Sequence, residues 1–338
     1  MIKYIPFVII FFSHTISAEL NDEDVNNFVE YMSNKHSYNK TELNILFDNV
    51  KTESRIKKYF KKAPERTLTW NGCGAVDKKC TNYKNLFVTK KNINNGLKFW
   101  KNNNAALIEA EAIYGVPPEI IVAIIGIESK YGVRTGSFKT FDTLASLSLG
   151  SNKGRRAKFY KSELINFLLM CRENQLDPSS IKGSYAGALG KPQFISSSYR
   201  HYAVDFDSDG KVDLWNSNSD VIGSVANYFK KNGWQSYDDI MTPISYSKSD
   251  LSNLEEASKK TYKPQTKYSE FKKDLILSDV PMRSDIYLSV IGRKEPNRKE
   301  YSFGHKNFYV ITRYNRSRLY ALAVYYLSEE IKIAKSKI

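Results

Sequence analysis

Apolar residues along this chain fall into helix-length groups over most of its length and into short alternating runs near its end. Between Asp22 and about Pro64 the pattern predicts short amphipathic helices, with Val25, Phe28, Val29 and Met32 on one face and Asp22, Glu23 and Asp24 in the first turn. A second helical stretch is predicted from Asn92 to Tyr114, ended by Gly115, and helix-length apolar segments broken by Gly and Pro continue from Pro117 to about Ala226. From about 240 to 300 the apolar runs shorten, and Ile286–Ile291 and Phe308–Thr312 read as strands. A closing helix from Leu319 to about Ile333 is expected to return to the core. The predicted class is α+β, predominantly α. Its parts are an N-terminal helical subdomain with a cysteine loop over 19–100, a central core over 101–239, a small β-containing subdomain over 240–312, and a C-terminal segment and helix over 313–338.

Residues 1–18 stand apart. Lys3 precedes the apolar stretch Tyr4–Phe12 and a small polar tail ending at Ala18, the form of a secretory signal peptide and too short for a comfortable transmembrane helix. No cysteine lies near this exit, so no stable membrane anchor is expected. Export places Cys73 and Cys80 in an oxidising compartment, where their short loop can close as a disulfide, while Cys171, beside Phe167-Leu168-Leu169-Met170, reads as a buried thiol. A zinc site is the weaker reading of these cysteines, because none of the 4 histidines pairs with one at ligand spacing.

The segment Pro117–Gly132 carries the clearest chemistry. Proline at its start, Glu119 in its first turn and Gly132 after its end mark a helix of about fourteen residues, and nearly every face between Ile120 and Ile127 is apolar. Glu128 lies on the stripe of Ile121 and Ile124, and its neighbours at helical spacing are Ile124, Ile125, Tyr131 and Gly132, none of them basic. Desolvation and the negative end of the helix dipole both favour the protonated acid there, which suits a proton donor to a glycosidic oxygen. Ordinary glycosidases need two carboxylates, and nothing in the spacing of Asp142, Glu163 or Glu173 selects a second one.

A second acidic motif, Asp205–Asn216, follows the EF-hand calcium loop through its first nine positions. Asp205, Asp207 and Asp209 supply hard oxygens, Gly210 permits the turn, Lys211 offers its carbonyl and Asp213 stands at position nine. Asn216 replaces the usual glutamate at position twelve, which leaves Asp220 as an alternative ligand. No long flanking helix pair is evident, so a structural calcium ion rather than a sensor is expected.

Composition narrows the partner. The chain has 338 residues, 51 Lys plus Arg against 36 Asp plus Glu, 41% hydrophobic residues and 13% aromatic ones. This excludes a disordered polyelectrolyte and a multi-span membrane protein. The formal charge of +15, or +14 once Lys3 is removed with the leader, calls for an anionic partner. No helix-turn-helix or aromatic-basic RNA motif is present, so nucleic acid is not the expected one.

Tyr114–Ile121, Gly126–Gly132, Gly183–Gly190, Gln193-Phe194, the Asp205 loop and Thr312–Asn315, taken in this order, resemble the lytic murein transglycosylase B family, glycoside hydrolase family 103. The resemblance runs from about Phe28 to Leu327. It implies a lysozyme-like core over 101–239, a periplasmic enzyme acting on peptidoglycan glycan strands, and cleavage that leaves a 1,6-anhydro-muramic acid end. It implies that Glu128 protonates the oxygen joining N-acetylmuramic acid to N-acetylglucosamine and then takes the proton of the attacking C6 hydroxyl. It places Tyr83, Ser184, Gln193, Tyr228, Tyr314, Asn315 and Tyr320 along the groove, and calcium on Asp205, Asp207, Asp209, the Lys211 carbonyl and Asp220, with no organic cofactor. Two departures stand out, the missing lipid-attachment cysteine and Lys191-Pro192 in place of an aromatic-glycine pair. A hydrolase of the same glycan and a non-catalytic glycan-binding protein are the competing readings.

Overall fold

The computed structural model describes residues 20–51, 68–72, 82–150, 154–274 and 276–338. The leader at 1–18 and the pair Cys73 and Cys80 lie outside the described residues. Among those described the chain is predominantly helical, with fourteen α-helices and seven short strands.

The N-terminal pair α1 (Asp22–His36) and α2 (Lys40–Asp48) start on asparagine caps, Asn21 and Asn39, whose side chains accept from backbone N–H groups one turn on. Phe28 of α1 meets Phe47 of α2 edge to face at 5.7 Å, and both join the main core. Next come α3 (Tyr83–Phe87), α4 (Lys90–Asn102) and α5 (Asn104–Tyr114). The single helix predicted over Asn92–Tyr114 is therefore two. The break falls at Asn103, whose side-chain amide donates to the Phe99 carbonyl at 2.7 Å and competes with the helical ladder inside a run of three asparagines.

Helix α6 (Pro118–Ser129) is buried on every face except at Glu128. It is walled by α4, α5 and the last helix, α14 (Arg318–Lys335). A two-stranded ladder, β1 (Phe138–Lys139) against β2 (Lys182–Gly183), brackets α7 (Thr140–Leu149) and α8 (Arg155–Glu173), the latter burying Cys171 as a free thiol. Helices α9 (Ser196–Tyr202) and α10 (Asn218–Lys231) flank the acidic loop.

The β-rich part is a five-stranded antiparallel sheet in the order β4-β6-β7-β3-β5. Its longest strands are β6 (Tyr287–Lys294) and β7 (Lys299–Gly304), in register from Ser289 with Gly304 to Lys294 with Lys299. β3 (Met241–Ser245), β4 (Thr266–Lys267) and β5 (Leu277–Ser278) complete it, with α11 (Leu251–Lys260) and α12 (Tyr268–Lys273) on one side around a small core of Leu254, Phe271, Leu288 and Phe303. The strand expected at Phe308–Thr312 is instead part of helix α13 (Lys306–Tyr314). Only Lys306, Tyr309 and Arg313 escape full burial before Tyr314, a spacing of three and four that overrides the β-branched composition.

No single described helix is long and apolar enough to cross a membrane.

Candidate functional site

Glu128 occupies the last turn of α6, and the way that helix ends fixes where its side chain goes. Lys130 and Tyr131 both adopt left-handed backbone, φ 51° and 60°, a conformation costly for residues with side chains. The tyrosine is held there because its hydroxyl donates to the Asn92 carbonyl at 2.9 Å and its ring lies over Gly126. A Cβ at Gly126 would stand 2.5 Å from that hydroxyl oxygen. The Ser129 hydroxyl accepts from the Gly132 N–H at 3.0 Å and closes the turn.

Across from it, the Tyr320 hydroxyl donates to Glu128 Oε1 at 2.5 Å. Tyr320 sits in the first turn of α14, and its backbone N–H donates to the Ser317 cap at 3.3 Å. Burial, then the negative charge of Glu128, holds the Tyr320 and Tyr314 hydroxyls well above the usual tyrosine range. Both therefore remain donors.

The remaining tyrosines form one body behind this contact. Tyr314 stacks on Tyr320, with ring centres 6.3 Å apart and planes at 11°, and donates to the Pro192 carbonyl at 2.6 Å. Tyr228 packs on Tyr314 at 4.8 Å and donates to the Arg313 carbonyl at 2.6 Å. Tyr83 is fully buried near Tyr320, packed on Phe87 at 5.0 Å. Asn315, one residue beyond Tyr314, is exposed.

Two of the residues expected along the groove, Gln193 and Ser184, hold a loop. The Gln193 amide donates to the Thr135 and Gly190 carbonyls, at 3.1 and 2.8 Å, from a backbone at φ 51°. The Ser184 hydroxyl accepts from the Ala186 and Ala188 N–H groups, at 3.3 and 3.0 Å, and so ties the glycine-rich turn.

Each candidate second carboxylate has structural partners. Asp142 accepts from the Lys51 N–H at 3.2 Å. Glu163 accepts from the Ser197 N–H and hydroxyl at 2.9 and 2.8 Å. Glu173 forms a two-pronged pair with Arg200 at 2.9 and 2.7 Å, which holds its carboxyl below the usual range.

In the acidic loop, ligand oxygens of Asp205, Asp207 and Asp209 all lie within 4.8 Å of one another, a set of hard donors that fits calcium. Asp205 also accepts from the Asp209 and Gly210 N–H groups, which curls the loop around it. Asp213 is turned toward its own successor, accepting from the Trp215 and Asn216 N–H groups and from the Asn216 side chain. Asp220 is buried, and its two oxygens accept from the Phe206 and Asp213 N–H groups, both at 2.7 Å. It clamps the loop from behind, whatever else it does.

Lys191 is a residue whose role the sequence did not reveal. Its ammonium donates to the Asn216 carbonyl at 3.0 Å and the Asn218 side chain at 2.6 Å, joining the Gln193 turn to the acidic loop. With Pro192 receiving the Tyr314 hydroxyl, this departure from the aromatic-glycine pair links the two acidic regions. No local pattern signals it, because both partners lie more than twenty residues away.

Comparison with known proteins gives the same picture over nearly the whole chain. The profile of the transglycosylase SLT domain matches residues 21–329. Membrane-bound lytic murein transglycosylase B of Escherichia coli strain K12 is 36% identical over 316 residues, which cover 93% of this chain and 84% of that protein. The crystal structure of soluble lytic transglycosylase SltB1 from Pseudomonas aeruginosa superposes with a TM-score of 0.83 at 37% identity, covering 92% of this chain and 99% of that one. The Escherichia coli lytic transglycosylase Slt35, solved in complex with calcium, gives 0.80 at 34% identity, covering 96% of this chain and 98% of that one.

Proposed function

The chain belongs to the transglycosylase SLT domain family and is a peptidoglycan-cleaving lytic transglycosylase; we propose that Glu128 makes the cut alone, first as acid and then as base. The protonated carboxyl gives its proton to the oxygen between N-acetylmuramic acid and N-acetylglucosamine, and that bond breaks. The resulting carboxylate takes the proton of the muramic C6 hydroxyl as its oxygen bonds to C1, leaving a 1,6-anhydro end and restoring the acid. No water is consumed.

The observation that carries this reading is a single half-buried carboxylate in hydrogen-bond contact with a buried tyrosine, while Asp142, Glu163 and Glu173 are engaged in structural bonds. Tyr320 steadies the carboxylate in its second role, since its hydroxyl donates to the charged form. Substrate lies along the groove of Tyr83, Ser184, Gln193, Tyr228, Tyr314, Asn315 and Tyr320. There the buried tyrosines shape the wall and exposed Asn315 meets the sugar.

We assign Asp205, Asp207 and Asp209, with the Lys211 carbonyl, to a structural calcium ion, as the calcium complex of Slt35 supports. Asp220 contributes chiefly by fastening the loop. When bound, the ion neutralises the crowded acids and stiffens the segment that Lys191 ties to the groove. Residues 1–18 direct export, and the periplasm is the site of action.

The test is product analysis of digested murein by mass spectrometry, comparing wild type with Glu128→Gln. Anhydro ends from the wild type and none from a folded variant are expected. Reducing ends from the wild type would reject the one-carboxylate mechanism in favour of hydrolysis.

A further inference from the structure

The turn Gly190–Gln193 has little main-chain bonding of its own at the point where it meets the tyrosines. The Lys191 N–H donates to the Leu214 carbonyl at 2.8 Å, and the Gln193 N–H reaches the Gly190 carbonyl at 3.3 Å. Pro192 between them has no N–H to give. Gln193 is also held at φ 51°, a left-handed conformation that costs free energy for a residue with a side chain. Such a backbone keeps its shape only where the surroundings over-determine it. Side chains do this from two directions. The Gln193 amide donates to the Thr135 carbonyl at 3.1 Å, while the Lys191 ammonium donates to the Asn216 carbonyl at 3.0 Å and to the Asn218 side chain at 2.6 Å, at the start of α10. The aliphatic stem of Lys191 runs over Gly132, where a Cβ would stand 3.0 Å from its Cε.

From this turn a continuous set of contacts leads to the acid. The carbonyl of buried Pro192 accepts from the Tyr314 hydroxyl at 2.6 Å. The Tyr314 ring lies at 11° to that of Tyr320, with centres 6.3 Å apart, and the Tyr320 hydroxyl donates to Glu128 Oε1 at 2.5 Å. We propose that Lys191 is a positioning residue for the cleavage reaction: its ammonium fixes the Pro192 carbonyl, which sets Tyr314 and, through the stacked rings, the Tyr320 hydroxyl on Glu128. This role rests on the assignment of Glu128 as the reacting acid. Lys191 acts on turnover rather than on substrate affinity, because what it fixes is the geometry around the reacting carboxyl, where a misplacement of about 1 Å can cost about 100-fold in rate.

Lys191→Met keeps an unbranched stem over Gly132 and removes the ammonium. On solubilised glycan strands its kcat is expected to fall about 3- to 10-fold, with KM within about 2-fold of wild type, in a protein that still melts cooperatively. Asn218→Ala removes one acceptor and leaves Lys191 in place, so it lowers kcat in the same direction by less, and it carries the test alone if Lys191→Met does not fold. A double-mutant cycle then locates the route. Tyr314→Phe already cuts the link at the Pro192 carbonyl, so adding Lys191→Met to it lowers kcat no further. Unchanged kcat in both Lys191→Met and Asn218→Ala would overturn the proposal, as would a rise in KM at constant kcat. So would the full loss from Lys191→Met persisting in the Tyr314→Phe background. Failure of the underlying assignment looks different, since a folded Glu128→Gln would then still cleave.

Discussion

Glu128 and the Asp205–Asp209 loop are two acidic regions that the fold handles in opposite ways. Glu128 is an acid in the last turn of an apolar helix, accepting from a tyrosine hydroxyl and with isoleucines along its stripe. The loop gathers three carboxylates within 4.8 Å at a largely exposed turn and spends backbone N–H groups on them. An isolated acid in a low-dielectric setting changes charge by moving a proton, whereas crowded acids are relieved by a cation. On the proposed reading, the difference separates chemistry from scaffolding. A proton-transfer group needs few partners and a narrow choice of them, and an ion site needs many oxygens and a curled backbone.

Breaking the first side of this comparison has the largest expected effect. Glu128→Gln keeps the shape and removes the proton, so cleavage falls by about 10²–10⁴ or more while the melting temperature holds. Breaking the second side reverses the pattern. Chelation of a verified calcium-loaded sample should cost about 3 kcal/mol of stability when the free ion had stood near 100 times its dissociation constant. Cleavage per folded molecule should be nearly unaltered. Equal melting curves with and without the ion would remove the structural role, and loss of turnover without loss of stability would move the ion into the chemistry.

The contact between Tyr320 and Glu128 sharpens the first side. Tyr320→Phe deletes a 2.5 Å bond to a carboxylate and little volume. A hydrogen bond to a charged group contributes about 1.5–3 kcal/mol, so kcat should drop roughly 10- to 100-fold with KM nearly constant. An unchanged kcat would reduce Tyr320 to a packing residue.

Some of this was legible along the chain and some was not, for physical reasons. Helix α6 and its acid could be read because proline, an all-apolar run and the following glycine are local signals. The acidic loop was legible for the same reason. The partner of Glu128 was not derivable from pattern, since Tyr320 lies 192 residues away and the chain has 23 tyrosines; only the family resemblance singled it out. Phe308–Thr312 misled because its composition favours a strand, while the burial of Asn307, Phe308 and Ile311 against the core demands a helical spacing. At Asn103 a single side-chain bond to the Phe99 carbonyl split a helix whose hydrophobic period ran on unbroken.

The smallest expected effect tests whether Glu128 is truly alone. Glu163 is 4% exposed, and burial pushes its carboxyl above the ordinary value of 4.5 while the two bonds from Ser197 pull it back. Its folded value thus exceeds its unfolded one, and between them the native protein holds more protons. Stability from this group is therefore present at low pH and is lost as pH rises through the raised value. Glu163→Gln cannot ionise, so its stability should be flatter across that window. At the acid end the two should differ by less than about 1 kcal/mol, because the protonated carboxyl and the amide each present Ser197 with one carbonyl acceptor and one donor. As pH rises the variant should gain on wild type. Thermal melts from below pH 4.5 to neutrality check the slope, and murein digestion checks the chemistry. Retained cleavage with the altered slope leaves Glu163 a structural acid. A folded Glu163→Gln that no longer cuts would make it the missing second carboxylate, and the single-acid mechanism would fall with it.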